Sequence, residues 1–285
     1  FFLGFLITAF CFVPRASASP LLANYILGTL PSDASSVAQL AKYHLLIISP
    51  EQAIVRADVI KKIRQLNPNI ILLAYVPSES YISAWQQYPA NVLYKNFVMQ
   101  DSWWLKDSKC KIISNWPGSL KTNMSKDWSD YIITYAQSNI LSMGVWDGIF
   151  FDIVGDSASG LNGGDVDLDR NGVRDNAQWL DAEWLSRVKY LLDQSNRRLA
   201  VKYIIINGTS NSSLQKYVNG RMFETFPTSW EGDGKWSTVM KNLVNIKQSN
   251  RQPQAVVLNS NTYNTGNSKD YKKMRFGLGS SLLVD

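Results

Sequence analysis

Two acidic residues end otherwise apolar runs. Asp152 follows Ile149, Phe150 and Phe151, and Glu224 follows Met222 and Phe223. A carboxylate at the end of a buried run is expensive to desolvate unless it has a partner or a task. Two carboxyl groups facing one cavity suit glycoside cleavage: one protonates the leaving oxygen, the other attacks the anomeric carbon or activates water. A carboxyl group set in an apolar rim also gains the raised pKa that a general acid needs. The plainer alternative is that each pairs with Lys or Arg, or caps the helix that follows.

The elements that must position these residues alternate along the chain. Apolar runs at 23–28, 44–49 (HLLIIS), 69–76 (NIILLAYV), 146–153 (WDGIFFDI), 201–207 (VKYIIIN), 221–226 (RMFETF) and 255–259 (AVVLN) read as strands. Each is followed by a helical pattern, at 37–43, 59–66, 128–143, 179–195, 212–218, 236–249 and 271–283. Continuous apolar strands joined by helical crossovers predict a parallel sheet covered on both faces. No glycine-rich phosphate loop follows an early strand, so a doubly wound open sheet and an organic cofactor are both disfavoured. Seven successive units favour an α/β (β/α)8 TIM barrel whose eighth strand lies beyond Asp285.

In such a barrel the strand ends gather at one face. That face would bring together Tyr75 and Glu79 after the third strand, Asp152 and Asp156 after the fourth, Asn207 after the fifth, Glu224 after the sixth and Asn259 after the seventh. By analogy with other barrels, Glu224 is the general acid and Asp152 the nucleophile or base, with the exchanged roles also open. Asp147, about 16 Å from Asp152 along its strand, reads as a turn or capping residue. Two long connections, 77–126 and 155–178, leave the same face and are expected to be functional or to carry small substructures. Trp116 and Trp230, with Trp103 and Trp104, could line a cleft for several sugar rings, and Asn207 and Asn259 could bond sugar hydroxyls or equally serve ordinary turn roles. Ten Trp and thirteen Tyr fit carbohydrate stacking, or simply a large core.

The loop Asp165-Val-Asp-Leu-Asp-Arg-Asn-Gly-Val-Arg-Asp175 carries a separate signal. Asp167, Asp169, Asn171 and Asp175, with Asp165 in reserve, present oxygens at the spacing of a Ca2+ loop, and Gly172 permits the turn. Gln178 stands where an EF-hand would place its Glu, so the match is to the first half only. Such an ion would brace the loop beside Asp152; the alternative is a solvated acidic loop.

Composition excludes other chemistry. His44 is the single histidine, so a multi-histidine metal hydrolase or phosphodiesterase lacks its ligands, and no G-x-S-x-G elbow is present. Net charge is +6 with Lys and Arg dispersed, which speaks against a nucleic-acid partner. Residues 1–18 read as an N-terminally incomplete secretory signal ending at Ala16-Ser17-Ala18, which predicts a secreted or periplasmic protein without a membrane anchor, and a single domain over 20–285. Cleavage would leave Cys110 alone, so no internal disulfide is expected. Nothing in the sequence speaks to oligomeric state.

The run W-D-G-I-F-F-D (146–152) resembles the fourth-strand signature of the hypothetical glycoside hydrolase family fifteen barrels. It is also similar to the endo-α-1,4-polygalactosaminidase-like barrels. W-L-K-D-S-K (104–109), W-P-G (116–118) and T-N-M-S (122–125) resemble that family's long third loop, while M-F-E-T-F (222–226) and M-R-F-G-L (274–278) fit its later strand and last helix. The resemblance covers about 23–285 and implies a TIM-barrel glycosidase, with the catalytic role carried onto Asp152 and Glu224. The acidic 165–175 loop departs from the shared pattern. The resulting expectation is hydrolysis of an extracellular or cell-envelope polysaccharide; the competing one is a carbohydrate-binding barrel without catalysis.

Overall fold

The computed structural model describes residues 21–262 and 265–284; the signal-like segment 1–18 lies outside them. In chain order the first elements are β1 (Ala23–Ile26), α1 (Ala34–Leu40), β2 (Leu45–Ile48), α2 (Gln52–Val55), α3 (Ala57–Leu66) and β3 (Ile71–Pro77). An excursion follows, made of β4 (Ser80–Ile82), β5 (Ser114–Trp116) and β6 (Ser119–Lys121), before α4 (Lys126–Tyr135) and β7 (Gly148–Val154). The remainder is α5 (Ala177–Arg198), β8 (Tyr203–Gly208), α6 (Ser212–Gln215), β9 (Gly220–Phe223), α7 (Trp236–Ser249), β10 (Val257–Leu258) and α8 (Ser268–Leu282).

Seven strands form one parallel sheet in the order β1-β2-β3-β7-β8-β9-β10, and β4-β6-β5 form a small antiparallel sheet within the 77–126 connection. The large sheet is a nearly closed barrel, one strand short between β10 and β1 among the described residues. No helix among those residues is long and apolar enough to cross a membrane.

Successive strand side chains point to opposite faces, and both faces here are apolar. Leu45, Ile47, Leu73, Phe150, Ile205 and Met222 fill the barrel interior, while Leu46, Leu72, Ile149, Phe151, Ile204 and Ile206 pack outward against the helices. Burying one such side chain contributes about 1.5–3 kcal/mol, so the strand parity cannot slip by one residue without inverting both layers.

Boundaries depart from the expected ones where side chains compete with the backbone. The helix expected over 128–143 ends as α4 at Tyr135 and continues as a π turn (Ala136–Ile140) and a 3-10 turn (Leu141–Met143) before Gly144 at φ 70°. In that stretch the Asn139 amide donates to the Tyr135 carbonyl and the Ser142 hydroxyl to the Ser138 carbonyl, drawing carbonyls out of the regular ladder. The strands expected over 221–226 and 255–259 stop early, at Phe223 and Leu258, because Glu224 and Asn259 already belong to the loops at the barrel mouth.

Candidate active site

Strand parity decides which side chains meet. Tyr75, Asp152, Asn207 and Glu224 share the inward parity of Leu73, Phe150, Ile205 and Met222, and each lies within two residues of the C-terminal end of its strand. Tyr75 Oη donates to Asp152 Oδ2 at 2.6 Å. Asn207 Nδ2 donates to Asp152 Oδ1 at 2.9 Å and also to Glu224 Oε2 at 2.9 Å. One amide nitrogen therefore joins the two carboxylates. Among the described residues neither carboxylate forms an ion pair, so the pairing alternative does not hold for them.

The backbone is bent to present them. The β7–β8 register breaks between Phe151 and Val154, and Ile153 sits at φ 61° with its N–H on Asp152 Oδ1 at 2.9 Å. Ser78 holds the bulge by donating its amide and hydroxyl to the Asp152 carbonyl. Thr225, directly after Glu224, is at φ 51°. Ile153 and Thr225 are the β-branched residues with positive φ among the described residues. A β-branched residue there is strained, and such strain gathers at functional sites. Bulges likewise re-aim side chains next to active sites. Asn259 shares the inward parity but serves the backbone: its side-chain oxygen accepts from the Thr225 amide at 3.2 Å, and its carbonyl from the Phe226 amide at 2.8 Å.

Burial pushes the Asp152 carboxyl above the usual carboxylate range, against the hydrogen bonds from Tyr75, Asn207 and the Ile153 amide. Burial, then the Asp152 charge, pushes the Tyr75 phenol far up, so it remains a neutral donor. Tyr25 was missed by sequence reasoning. Its ring lies 5.9 Å from Tyr75 and 5.8 Å from Phe150, and its phenol is raised by burial and then by the charges of Asp152 and Glu224. The available signal was parity: Tyr25 is an odd-numbered residue at the mouth end of β1, paired in register with Ile47.

Other predicted residues lie elsewhere. Glu79 sits beyond Pro77, where β3 has ended, and is 1% exposed. Its carboxylate accepts from Lys121 Nζ and from the Gly155 amide, both at 2.6 Å, and Lys121 is itself 4% exposed. It joins the two long connections and is apart from the Tyr75–Asp152–Asn207–Glu224 cluster. Asp156 accepts from Asn211 at 3.1 Å. Trp116 stands on β5 at 45% exposure and Trp230 in the loop after β9 at 57%, the accessible rings among the residues named as a cleft wall; Trp103 is buried. Arg221, also missed, is wholly buried on the outer face of β9. It pairs with Glu231 at 2.9 Å and donates to Ser210, tying together the loops after β8 and β9. Asp147 accepts from Arg64 at 2.7 Å and the Leu72 amide at 2.8 Å, at the far end of β7.

In the acidic loop, oxygens of Asp167, Asp169 and Asp175 come within 4.8 Å of one another. The Asn171 side-chain oxygen accepts from the Val173 amide, and Asp165 is engaged with Ser108 through both its carboxylate oxygens. A cavity of about 340 Å³ lies behind Tyr75, walled by Trp85, Tyr88, Leu93 and Tyr94. It is mostly apolar, neither Asp152 nor Glu224 lines it, and the carboxylate of Glu51 on its wall is taken by the Leu93 and Tyr94 amides.

A family model described as hypothetical glycosyl hydrolase family 15 matches residues 64–285. Among solved structures, the chain is similar to the galactosidase domain of an α-galactosidase-sucrose kinase (8% identity, TM-score 0.42, 93% of this chain and 41% of that one). It is similar to an α-galactosidase from Geobacillus stearothermophilus (12%, 0.42, 93% and 42%). It is also similar to an α-L-fucosidase from Paenibacillus thiaminolyticus (12%, 0.47, 73% and 36%). The chain thus spans about two fifths of the length of these structures. No curated protein matches it.

Proposed function

Because the chain belongs to the hypothetical glycosyl hydrolase family 15, we propose that it is a glycoside hydrolase that cleaves a polysaccharide with Asp152 and Glu224. The single observation behind this reading is the Asn207 amide nitrogen at 2.9 Å from both carboxylates, neither of which pairs with a Lys or Arg among the described residues. Two acids so placed can divide the work of glycosidic cleavage. Asp152 already receives three hydrogen bonds, which suits the ionised partner. Glu224 Oε1 has no hydrogen-bond partner among the described residues and is the oxygen open to carry a proton to the leaving group. The partly exposed ring of Tyr25 and the open rings of Trp116 and Trp230 are the surfaces on which sugar rings would rest, while Tyr75, 3% exposed, acts through its hydroxyl on Asp152.

A structural Ca2+ on Asp167, Asp169 and Asp175, aided by Asn171, belongs to the same reading, since three carboxylates gathered within 4.8 Å suit a hard cation with oxygen ligands. Its contribution would be to neutralise those charges and stiffen the loop. Secretion follows from the 1–18 segment, with cleavage after Ala18 checked by N-terminal sequencing of the exported protein.

The test is a screen of amino-sugar and neutral polysaccharides for released reducing ends, with Asp152→Asn and Glu224→Gln as controls. Release by wild type and loss in both variants is the expected result. Binding without release by wild type would favour the non-catalytic carbohydrate-binding barrel.

A further inference from the structure

The distance between the two carboxylates bears on how the reaction runs. Asp152 Oδ1 and Glu224 Oε2 each lie 2.9 Å from the same nitrogen, Asn207 Nδ2. They therefore cannot be more than about 5.8 Å apart, and two hydrogens of one amide, diverging by about 120°, place them about 5 Å apart. Direct attack by a carboxylate needs about 5–5.5 Å between the pair, whereas a water held between them needs about 6.5–9.5 Å. The short spacing leaves no berth for that water. Asn207 also holds an unexplained atom: its Oδ1 is buried and has no hydrogen-bond partner among the described residues. A buried acceptor left unpaired calls for a donor, and a sugar hydroxyl on the ring being cleaved would supply one.

Resting on the proposed hydrolase activity, we propose that Asn207 is a positioning residue that sets the carboxylate spacing for double displacement, so that the glycoside is cleaved with net retention through an ester on Asp152. In the first step an Asp152 oxygen forms a bond to the anomeric carbon while the bond to the departing oxygen breaks, and Glu224 gives that oxygen its proton. In the second, Glu224 takes a proton from water, the water oxygen bonds to the anomeric carbon, and Asp152 leaves as a carboxylate. Asn207 Oδ1 receives a hydroxyl of the same sugar throughout, and Asn207 Nδ2 keeps the two acids at working distance.

The test uses 4-nitrophenyl α- and β-glycosides of galactose, glucose and N-acetylgalactosamine, together with the polysaccharides of the screen. Proton NMR reads the anomer formed in the first minutes. The substrate's own configuration is expected. The opposite anomer overturns double displacement while the hydrolase reading stands; no turnover of any glycoside or polysaccharide by wild type overturns the hydrolase reading itself. Azide separates the roles. Asp152→Ala with azide is expected to yield a glycosyl azide of opposite configuration to the substrate, and Glu224→Ala with azide one of the same configuration. The reverse pattern moves the nucleophile to Glu224 and overturns the assignment. Asn207→Leu, similar in size and without donors, is expected to lower kcat at least tenfold and to shift the acid limb of the pH profile upward, because Asp152 loses a donor that lowers its pKa. A stable Asn207→Leu protein with unchanged kcat and pH profile overturns the spacer role.

Discussion

Glu79 and Asp152 leave adjacent strands at almost the same height. Pro77 of β3 is in register with Asp152 of β7, and two residues further on lies Glu79. Burial pushes both carboxyls above the usual range. Their partners differ in kind. Glu79 is opposed by the ammonium of Lys121 at 2.6 Å, whereas Asp152 has a phenol, an amide side chain and a backbone N–H. A buried carboxylate matched by a cation is neutralised and becomes part of the frame. One held only by neutral donors keeps a charge that a positive transition state can use. Sequence position at a strand end nominates both; the sign of the neighbour separates them.

The comparison breaks most visibly in activity. Asp152→Asn is expected to lower hydrolysis by about 10³-fold or more while circular dichroism and melting temperature stay near wild type, because its partners can also bond an amide. Full activity in that variant ends the assignment. Next in size is the frame itself. Lys121→Met leaves the Glu79 charge buried and unopposed, a loss of about 3–5 kcal/mol. A fall in melting temperature on the order of 10 °C is expected, with a pH profile of the surviving enzyme like that of wild type. Glu79→Gln should likewise act on stability; abolished turnover in a fully stable Glu79→Gln protein would place Glu79 in the chemistry and erase the contrast.

Smaller still is the effect of the phenol. Tyr75 donates to the charged form of Asp152, so the bond lowers the Asp152 pKa. Tyr75→Phe removes that bond, the pKa rises, and the acid limb of kcat/KM moves to higher pH, by about one unit for a charge-assisted bond of about 1.5 kcal/mol. A limb that moves down, or not at all, contradicts the role given to Tyr75. The acidic loop supplies the smallest effect: added Ca2+ should raise the melting temperature by a few degrees, as expected for about 2–3 kcal/mol of ligand linkage, and Asp167→Asn should abolish the response. Equal melting in Ca2+ and in chelator sinks that site.

Much of the frame was legible because periodicity is a local property. All seven barrel strands, the last of them only Val257–Leu258, overlap the apolar runs read from the chain, with Pro77, Val154, Gly208 and Gly220 each carrying a strand one residue beyond its run, and the 77–126 connection folds into a small sheet of its own. The convergence of Asp152, Asn207 and Glu224 was legible too, through strand order and strand ends. Tyr25 was not, because a tyrosine in an apolar strand looks like core until its neighbours across the barrel are known. Nor was the duty of Glu79 or Asn259, since each is decided by a partner 34 to 42 residues away in the chain.

What the amino-acid sequence determined alone is the alternation of apolar strands and amphipathic helices, and hence which residues end each strand, because both follow from burying side chains at fixed local spacing. What only the tertiary structure decided is which carboxylate meets a cation and which meets another carboxylate. Charge in a buried place is set by what lies within a few ångströms in space, and that closeness exists only once the sheet has curled into its barrel.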